Sequence, residues 1–389
     1  MKEMKKLLFL AAAVIMVAAL TVPISAGEYE YVYESMEETA YPDAEMKALL
    51  DSVPDEAREE AEAVIEAAAG DDGAKAVTEK LSFKYLIGSF LSYIGDLLLP
   101  TAADCAGLLA LIISSSLLTA FFRLKENSTL KSACELAVNL TISAAVAKVA
   151  LGVVSTVSTY ITYLCAMMNA MLPVMGAVHL SSGTVSQMAV NSSAMMLYIT
   201  VTENLCREFF VPAAGALLAL TVASGAFKHI NIGGLAAAVK KWVITVLAFA
   251  VTVFSFILGI QTSLAKSADT LAAKTVKFAV GSSVPIVGGA VSDALTTVSA
   301  SLSMIKKVTG GTGIALILII LIPVLASLLM NKLMMLVCKC SADILGCESA
   351  SAAVADADAV LSIFTAVAVM SAVLFVFAVT LFMNSGISA

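Results

Sequence analysis

The segment from Lys274 to Leu325 constrains the fold of this chain more than any other part of the sequence. It begins with lysines at helical spacing, continues as a weakly apolar run, and ends in a charge-free stretch, Ile314–Met330, that is long enough to cross a bilayer. A soluble core helix does not tolerate this order, whereas a membrane protein accommodates a broken, polar-bearing segment beside a full span. The residues that interrupt the first run are Gly281, Pro285, Gly288, Gly289 and one acid, Asp293.

The composition of the whole chain also indicates a membrane protein. Of the 389 residues, 60% are hydrophobic and 14% are charged, whereas soluble globular domains carry about a quarter charged residues. A soluble fold would need a core larger than the available polar surface covers. The predicted fold class is therefore an all-α polytopic membrane protein with broken or re-entrant helices and a small acidic exported N-terminal helical region.

Acidic residues are concentrated near the N-terminus. Residues 27–80 contain 17 of the 30 acids and only 4 bases, and none of the 7 cysteines lies among them. This block is therefore not held by disulfides, and its segment Asp51–Glu66 has the pattern of a helix. Two interpretations of the block remain open, an exported contact module and a solvated spacer. No basic stripe indicates a nucleic-acid partner.

Residues 1–26 have the three parts of a secretory signal peptide. Lysines precede an apolar core, Leu7–Val22, and Ala26 provides a small residue at a cleavage position. An uncleaved first membrane helix is the alternative, but the short apolar run and Pro23 at its end favour the signal peptide. The predicted domains are the signal peptide at 1–26, an acidic extracytoplasmic helical region at 27–99 and a membrane domain at 100–389 with about seven to eight spans.

The membrane domain divides into apolar runs that are separated by polar or basic links. The basic residues that follow a first span at 101–122 predict a cytoplasmic loop, which agrees with an exported N-terminal region. Residues 160–202 predict either a helical hairpin or a re-entrant pair. Residues 278–301 are either a broken span or an extracytoplasmic segment, and the side of the C-terminus depends on which. Further spans are predicted near 134–156, 160–178, 209–226, 242–261, 314–330 and 360–382, with a glycine-rich turn at 310–313.

Lys148 and Asp293 are the ionisable residues that lie deepest in apolar runs. Such residues usually face a bundle interior or water, and a charge pair between them, or between Lys148 and Glu135, is one hypothesis. A short P-x-x-G motif occurs twice, as Pro173-Val-Met-Gly176 and as Pro285-Ile-Val-Gly288. Paired broken helices mark the central site of many transporters, although packing by small residues explains so short a match better. The candidate pore or assembly residues are Lys148, Pro173, Gly176, Pro285, Gly288 and Asp293.

Signatures of catalysis are missing from the sequence. The two histidines, His179 and His229, are far apart, and no P-loop lysine follows the glycines at 310–313. Cys338 and Cys340 lack a second pair of zinc ligands. No catalytic, cofactor-binding or metal-binding residue is therefore predicted.

Two further charge patterns predict local structure. Glu203 and Arg207 stand at i,i+4 and predict an ion pair on one helix. Asp356 and Asp358 open the last apolar run, which predicts acids at a helix N-terminus, where the helix dipole favours them. A polar pore lining is the alternative interpretation of these two acids.

The segment that constrains the fold also resembles a known family. From Ala272 it follows the pattern A-x-K-T-V-K-F-x-x-G-x-x-x-P-[IV]-[VI]-G, and from Asp293 the pattern D-A-x-x-T-V-x-x-S, before an apolar run through Pro323. Together with Met171-Leu-Pro-Val-Met175 and the following Ser-Ser-Gly, this is similar to the stage III sporulation protein AE family. The resemblance extends over nearly the whole chain and is weakest in the acidic block.

This resemblance implies a non-enzymatic membrane subunit of a transenvelope channel, or feeding tube, that supports endospore development. It implies a place in the mother-cell membrane around the forespore. The implied partners are other stage III A sporulation membrane proteins and a forespore membrane partner, besides membrane lipid; a second copy of the chain is a further option. The alternative function is a stand-alone secondary transporter with a site at the two P-x-x-G segments.

Overall fold

The computed structural model describes residues 49–69, 73–123, 128–182, 184–226 and 288–384, with isolated positions between 234 and 267. The predicted signal peptide and Pro285 lie outside the described residues. Every regular element in the described part is helical, which confirms the all-α prediction. The α-helices are α1 (Arg58–Ala69), α2 (Gly73–Lys80), α3 (Phe83–Arg123), α4 (Ser128–Ser181), α5 (Val185–Asn204), α6 (Val211–Ala226), α7 (Gly288–Ile344) and α8 (Glu348–Asn384).

The helices α1 and α2 form a small hairpin in the acidic block. A 3₁₀ turn, Asp55–Ala57, leads into α1, and the first turn of α1 carries acids that favour a helix N-terminus. The apolar residues of α1 recur at helical spacing and are buried, whereas Glu59, Glu62 and Glu66 face outward. Arg58 bridges three of the acids, with N–O distances of 3.2 Å to Asp51, 3.9 Å to Asp55 and 3.5 Å to Glu62.

This hairpin is fastened to the membrane helices at several points. The hydroxyl of Tyr93 on α3 donates to Glu60 at 2.6 Å, and the ammonium of Lys80 lies 4.6 Å from the ring centroid of Tyr85. Val77 of α2 lies against α7 at Gly311, where a Cβ would come within 3.1 Å of its Cγ1. The described part of the acidic block is therefore packed on the bundle and is not a loose spacer.

Two predicted spans, 134–156 and 160–178, are in fact one helix. The 54 residues of α4 run without interruption through the Ser/Thr-rich stretch between them. Threonine hydroxyls in this stretch bond to the carbonyl four residues earlier, as Thr156 does to Gly152 at 3.2 Å. Because these hydroxyls are hydrogen-bonded to carbonyls of their own helix, the polar stretch is compatible with a continuous helix.

The chain then turns back as a pair of antiparallel helices, α4 and α5. The choice between a membrane-spanning hairpin and a re-entrant pair at residues 160–202 stays a prediction. The backbone amide of Thr184 donates to the carbonyl of His179 at 2.9 Å and closes the turn. Farther along, the Cys165 thiol lies 4.0 Å from the carbonyl of Ile199, as antiparallel helices require.

A π-helical turn, Leu205–Phe210, joins α5 to α6. Pro212 follows it, and a proline ring collides with the carbonyl four residues earlier, so the backbone widens before it. The widened turn also changes the side-chain spacing. The predicted ion pair between Glu203 and Arg207 is wrong, because these two described side chains form no salt bridge across the π turn.

The predicted glycine-rich turn at 310–313 is also wrong, because α7 continues through it for 57 residues in all. The glycines there allow neighbouring helices to come close. A Cβ on Gly310 would overlap Met383 of α8, and a Cβ on Gly313 would overlap Met171 of α4. Packing, and not chain reversal, accounts for these glycines.

The reversal comes later, between α7 and α8. Gly346 has φ +67°, which glycine adopts without strain, and the amides of Gly346 and Cys347 bond back to Asp343 and Ala342. Because α8 begins at Glu348, Asp356 and Asp358 lie in its third turn. The prediction that these acids occupy a helix N-terminus is therefore wrong.

Five helices in the described part of the chain are long and apolar enough to cross a membrane. The most apolar stretches of α7 and α8 are 83% and 78% buried inside the protein, whereas that of α3 is 17% buried. The α7–α8 pair is thus the centre of the bundle, and α3 lies at its periphery. Most of residues 227–287 lie outside the described residues, so the prediction of seven to eight spans stays a prediction.

Replacing Gly310 or Gly313 with alanine is expected to destabilise the protein by about 1–3 kcal/mol, because the new methyl group overfills the contact with α8 or α4. Gly152→Ala on α4 is the matched control, since a Cβ there meets nothing within 4 Å. Alanine in an open helical position is neutral or stabilises by up to about 1 kcal/mol. Thermal unfolding of the purified variants measures both effects, and equal behaviour of the three variants would contradict the packing described.

Candidate functional site

Two of the polar contacts between described helices contain a lysine of α7, and these two lysines lie about 39 Å apart along that helix. The first, here called the threonine cluster, consists of Lys306, Thr184 and His179. The second, the lysine–aspartate pair, consists of Lys332 and Asp358. Both contacts lie between helices that otherwise pack through apolar side chains. Their buried polar groups therefore need hydrogen-bond partners, which neighbouring helices supply.

The hydroxyl of Thr184 is the hub of the threonine cluster. It accepts a hydrogen bond from Lys306 Nζ at 3.1 Å, lies 2.7 Å from Nδ1 of His179, and donates to the His179 carbonyl at 3.1 Å. The exposed fractions are 2% for Lys306, 1% for His179 and 0% for Thr184. A lysine so deeply buried is stable only with such partners, because desolvation of the ammonium is costly.

The cluster connects four helices. Thr184 begins the turn into α5, His179 ends α4, and Lys306 belongs to α7. The His179 ring also meets Phe382 of α8 edge-on, with centroids 5.0 Å apart. Gln187 is buried beside the turn.

The lysine–aspartate pair ties α7 to α8 at the opposite end. Lys332 Nζ lies 3.1 Å from Asp358 Oδ1 and donates to the Ser362 hydroxyl at 2.7 Å. The lysine side chain is 10% exposed and the aspartate side chain 37% exposed, so this pair lies at the rim of the packed region. Asp358 therefore holds two helices together.

Between the two contacts α4, α5, α7 and α8 carry no charge. Residues 149–178 of α4, 185–202 of α5, 308–331 of α7 and 359–384 of α8 contain no Asp, Glu, Lys or Arg. The 24-residue stretch of α7 spans about 36 Å, close to the thickness of a bilayer's hydrocarbon core. This layer is what a membrane-embedded bundle requires.

The lysine proposed from the sequence lies elsewhere. Lys148 is exposed on α4, 31 residues or about 46 Å before His179. Glu135 lies 13 residues away from Lys148 on the same straight helix, about 20 Å, so these two do not pair. Asp293 lies in the second turn of α7, beyond the threonine cluster, and the same geometry keeps it far from Lys148.

The two P-x-x-G segments do not both break a helix. Pro173 is on the exposed face of α4, which passes through it without interruption, and Gly176 is buried, where a Cβ would come within 3.3 Å of Met188 Cε. Pro285 lies outside the described residues, and Gly288 is the first residue of α7. Gly176 therefore serves the packing of α4 on α5.

Sequence reasoning missed the threonine cluster. In the sequence, Lys306 has the position of a basic residue that flanks a membrane span. Thr184 lies in a short polar segment between two apolar runs. One signal was available, since Lys306, Gly310 and Gly313 share a helical face at i, i+4 and i+7, which a turn would not require. The contact of that face with Thr184 is a tertiary feature.

In the described part of the chain no group of three potential metal ligands comes together. Cys338 is buried and Cys340 is exposed on the same helix, so these two thiols face different surroundings.

Comparisons with protein families and with known proteins give the same family name. The sequence profile described as Stage III sporulation protein AE matches residues 72–386. The Stage III sporulation protein AE of Bacillus subtilis (strain 168) is 24% identical over 151 residues, which are 39% of this chain and 38% of that protein. The aligned part is thus well under half the length of that relative. No solved structure matches the chain. Because the family profile covers most of the chain, the protein belongs to the stage III sporulation protein AE family.

Proposed function

We propose that this protein is a non-enzymatic membrane subunit of the transenvelope channel that connects mother cell and forespore during endospore development. It resides in the mother-cell membrane around the forespore, with its signal peptide directing the acidic region out of the cytoplasm. Its partners are the other stage III A sporulation membrane proteins and a protein of the forespore membrane. The match to the family over residues 72–386 is the observation that carries this proposal.

The geometry of the acidic hairpin supports a role in assembly. Tyr93, Lys80 and Val77 fasten the hairpin to the bundle, while four acids of the 3₁₀ turn and α1 face outward at helical spacing. A surface that is fixed in orientation loses less conformational entropy when a partner binds. The outward acids are Asp55, Glu59, Glu62 and Glu66.

The alternative function, a stand-alone transporter, loses part of its support. It required broken helices at both P-x-x-G segments to form a central site. The helix α4 passes unbroken through Pro173. Because α4 is not broken there, the repeated P-x-x-G motif does not form the pair of broken helices that such a transport site requires.

Deletion of the gene is expected to stop spore development after engulfment and to abolish late transcription in the forespore. An epitope-tagged copy restored to the deletion strain should recover other stage III A proteins from solubilised membranes. Mature spores with normal late forespore transcription in the deletion strain would contradict the proposal. Solute flux by the purified protein in liposomes would instead favour the transporter.

The proposed sidedness gives a topological prediction. Val77 and Met383 both contact the glycines of α7 at 310–311, so the hairpin and the end of α8 share one end of the bundle. The loop after α7 packs against the C-terminal half of α3, where the Ser116 hydroxyl donates to the Leu345 carbonyl at 3.3 Å. An exported hairpin therefore implies an exported end of α8 and a cytoplasmic loop at Gly346.

A membrane-impermeant maleimide measures this topology in intact cells. A variant that retains only the exposed native Cys340 should remain unlabelled until the membrane is permeabilised. A variant whose one cysteine replaces Ser388 should be labelled without permeabilisation. Labelling of both variants in intact cells, or the reverse pattern, would refute the proposed orientation.

A further inference from the structure

The hairpin α1–α2 lies beside the stretch of α7 that carries no charge. Both helices of the hairpin pack on α7. Val77 of α2 meets α7 at Gly311, near the start of the uncharged residues 308–331. How far the hairpin extends along this stretch follows from the contacts of α3.

Two contacts show that α3 runs parallel to α7. The side chains of Cys105 on α3 and Cys338 on α7 are hydrogen-bonded to each other. Farther along both helices, the hydroxyl of Ser116 donates to the carbonyl of Leu345, just after α7 ends. Because the contacts come in the same order on both helices, equal numbers of residues before Cys105 and before Cys338 reach the same level.

Tyr93 of α3 is level with the inner part of the uncharged stretch. It precedes Cys105 by 12 residues, about 18 Å, and the same step back from Cys338 reaches residue 326 of α7. The Tyr93 hydroxyl donates to Glu60 of α1. The hairpin therefore extends from Gly311 well into a stretch whose length is close to the thickness of a hydrocarbon core.

The outer face of the hairpin is charged at this level. Four acids, Asp55, Glu59, Glu62 and Glu66, are exposed there at helical spacing. A charged side chain at the depth of the hydrocarbon core is costly, so such residues face a bundle interior or water. These four acids face out of the bundle, so this side of the protein requires water in place of lipid.

A different side of the bundle is apolar at the same level. There α5 and α6 pack on α4 and α8. Tyr198 of α5 meets Phe375 of α8 edge-on, about 12 Å along α8 from Met383, which fills the space beside Gly310. The neighbouring Leu197, on the uncharged part of α5, is 58% exposed. An exposed leucine on an uncharged helix suits contact with lipid tails, which are equally apolar.

We infer that the hairpin side of this protein lines a water-filled passage with a negatively charged wall, while the α5–α6 side faces lipid. A bundle that protrudes from the membrane would be polar on both sides, and one surrounded by lipid would be apolar on both. Acids along the wall favour cations in the passage. The inference rests on the proposed channel function, because several subunits are needed to enclose a passage.

Thiol labelling in membranes from sporulating cells tests both sides of the assembled protein. Glu59→Cys and Leu197→Cys are each placed in a chain whose native cysteines are replaced by alanine. A water-soluble maleimide reacts with the thiolate, which forms in water and not in lipid, so Glu59→Cys should react at least about tenfold faster than Leu197→Cys. After denaturation in detergent both should react equally. Equal rates before denaturation, or faster reaction of Leu197→Cys, would overturn the inference.

A lipid-soluble carbene reagent tests the same two surfaces in the unmodified protein. Photolysis should label the segment of α5 around Leu197 and leave residues 58–66 of the hairpin unlabelled. Labelling of the hairpin, or no labelling around Leu197, would count against the passage. Normal spore development in the deletion strain would instead contradict the proposed function and leave both labelling patterns as they are, so the two failures are distinguishable.

Discussion

The close approach of α7 to α4 and α8 is the constraint on which the rest of the structure depends. Gly310 and Gly313 have no side chains, so methionines from the two neighbours fill the space beside the α7 backbone. This approach buries α7 on nearly all sides and brings Lys306 against the α4–α5 turn. A buried lysine is tolerated there because the same approach supplies the Thr184 hydroxyl.

Burial of α7 and α8 determines what the other helices present to their surroundings. The two most apolar helices are enclosed by protein, while α3, with its exposed leucines, lies at the periphery. The uncharged stretch of α7 between the threonine cluster and the lysine–aspartate pair is close in length to the thickness of a hydrocarbon core. The hairpin α1–α2 is fixed at the threonine-cluster end.

Features that depend on local composition could be predicted from the sequence. Low charge and long apolar runs predicted an all-α membrane protein, and the Glu/Ala-rich pattern predicted the helix at Arg58–Ala69. The family followed from a motif between Ala272 and Pro323 that the family profile supports.

Features that depend on tertiary contact could not be predicted in this way. Glycines favour both a turn and a tight helix contact, and only the presence of Met383 and Met171 opposite them decides for the contact at 310–313. The Ser/Thr-rich stretch of α4 likewise fits a loop or a helix, and hydroxyl bonds to the preceding turn decide for the helix. Thr184 was overlooked because its partner Lys306 is 122 residues away.

Cross-linking of the hairpin to α7 tests the central claim most directly. A Cβ at Gly311 would lie 3.1 Å from Val77 Cγ1, so cysteine side chains at these two positions would be neighbours. In membranes of cells that express Val77→Cys with Gly311→Cys and no other cysteine, mild oxidation should form an intramolecular cross-link. Absence of the cross-link, while each single cysteine remains reactive after solubilisation, would contradict a continuous α7 whose glycines pack beneath the hairpin.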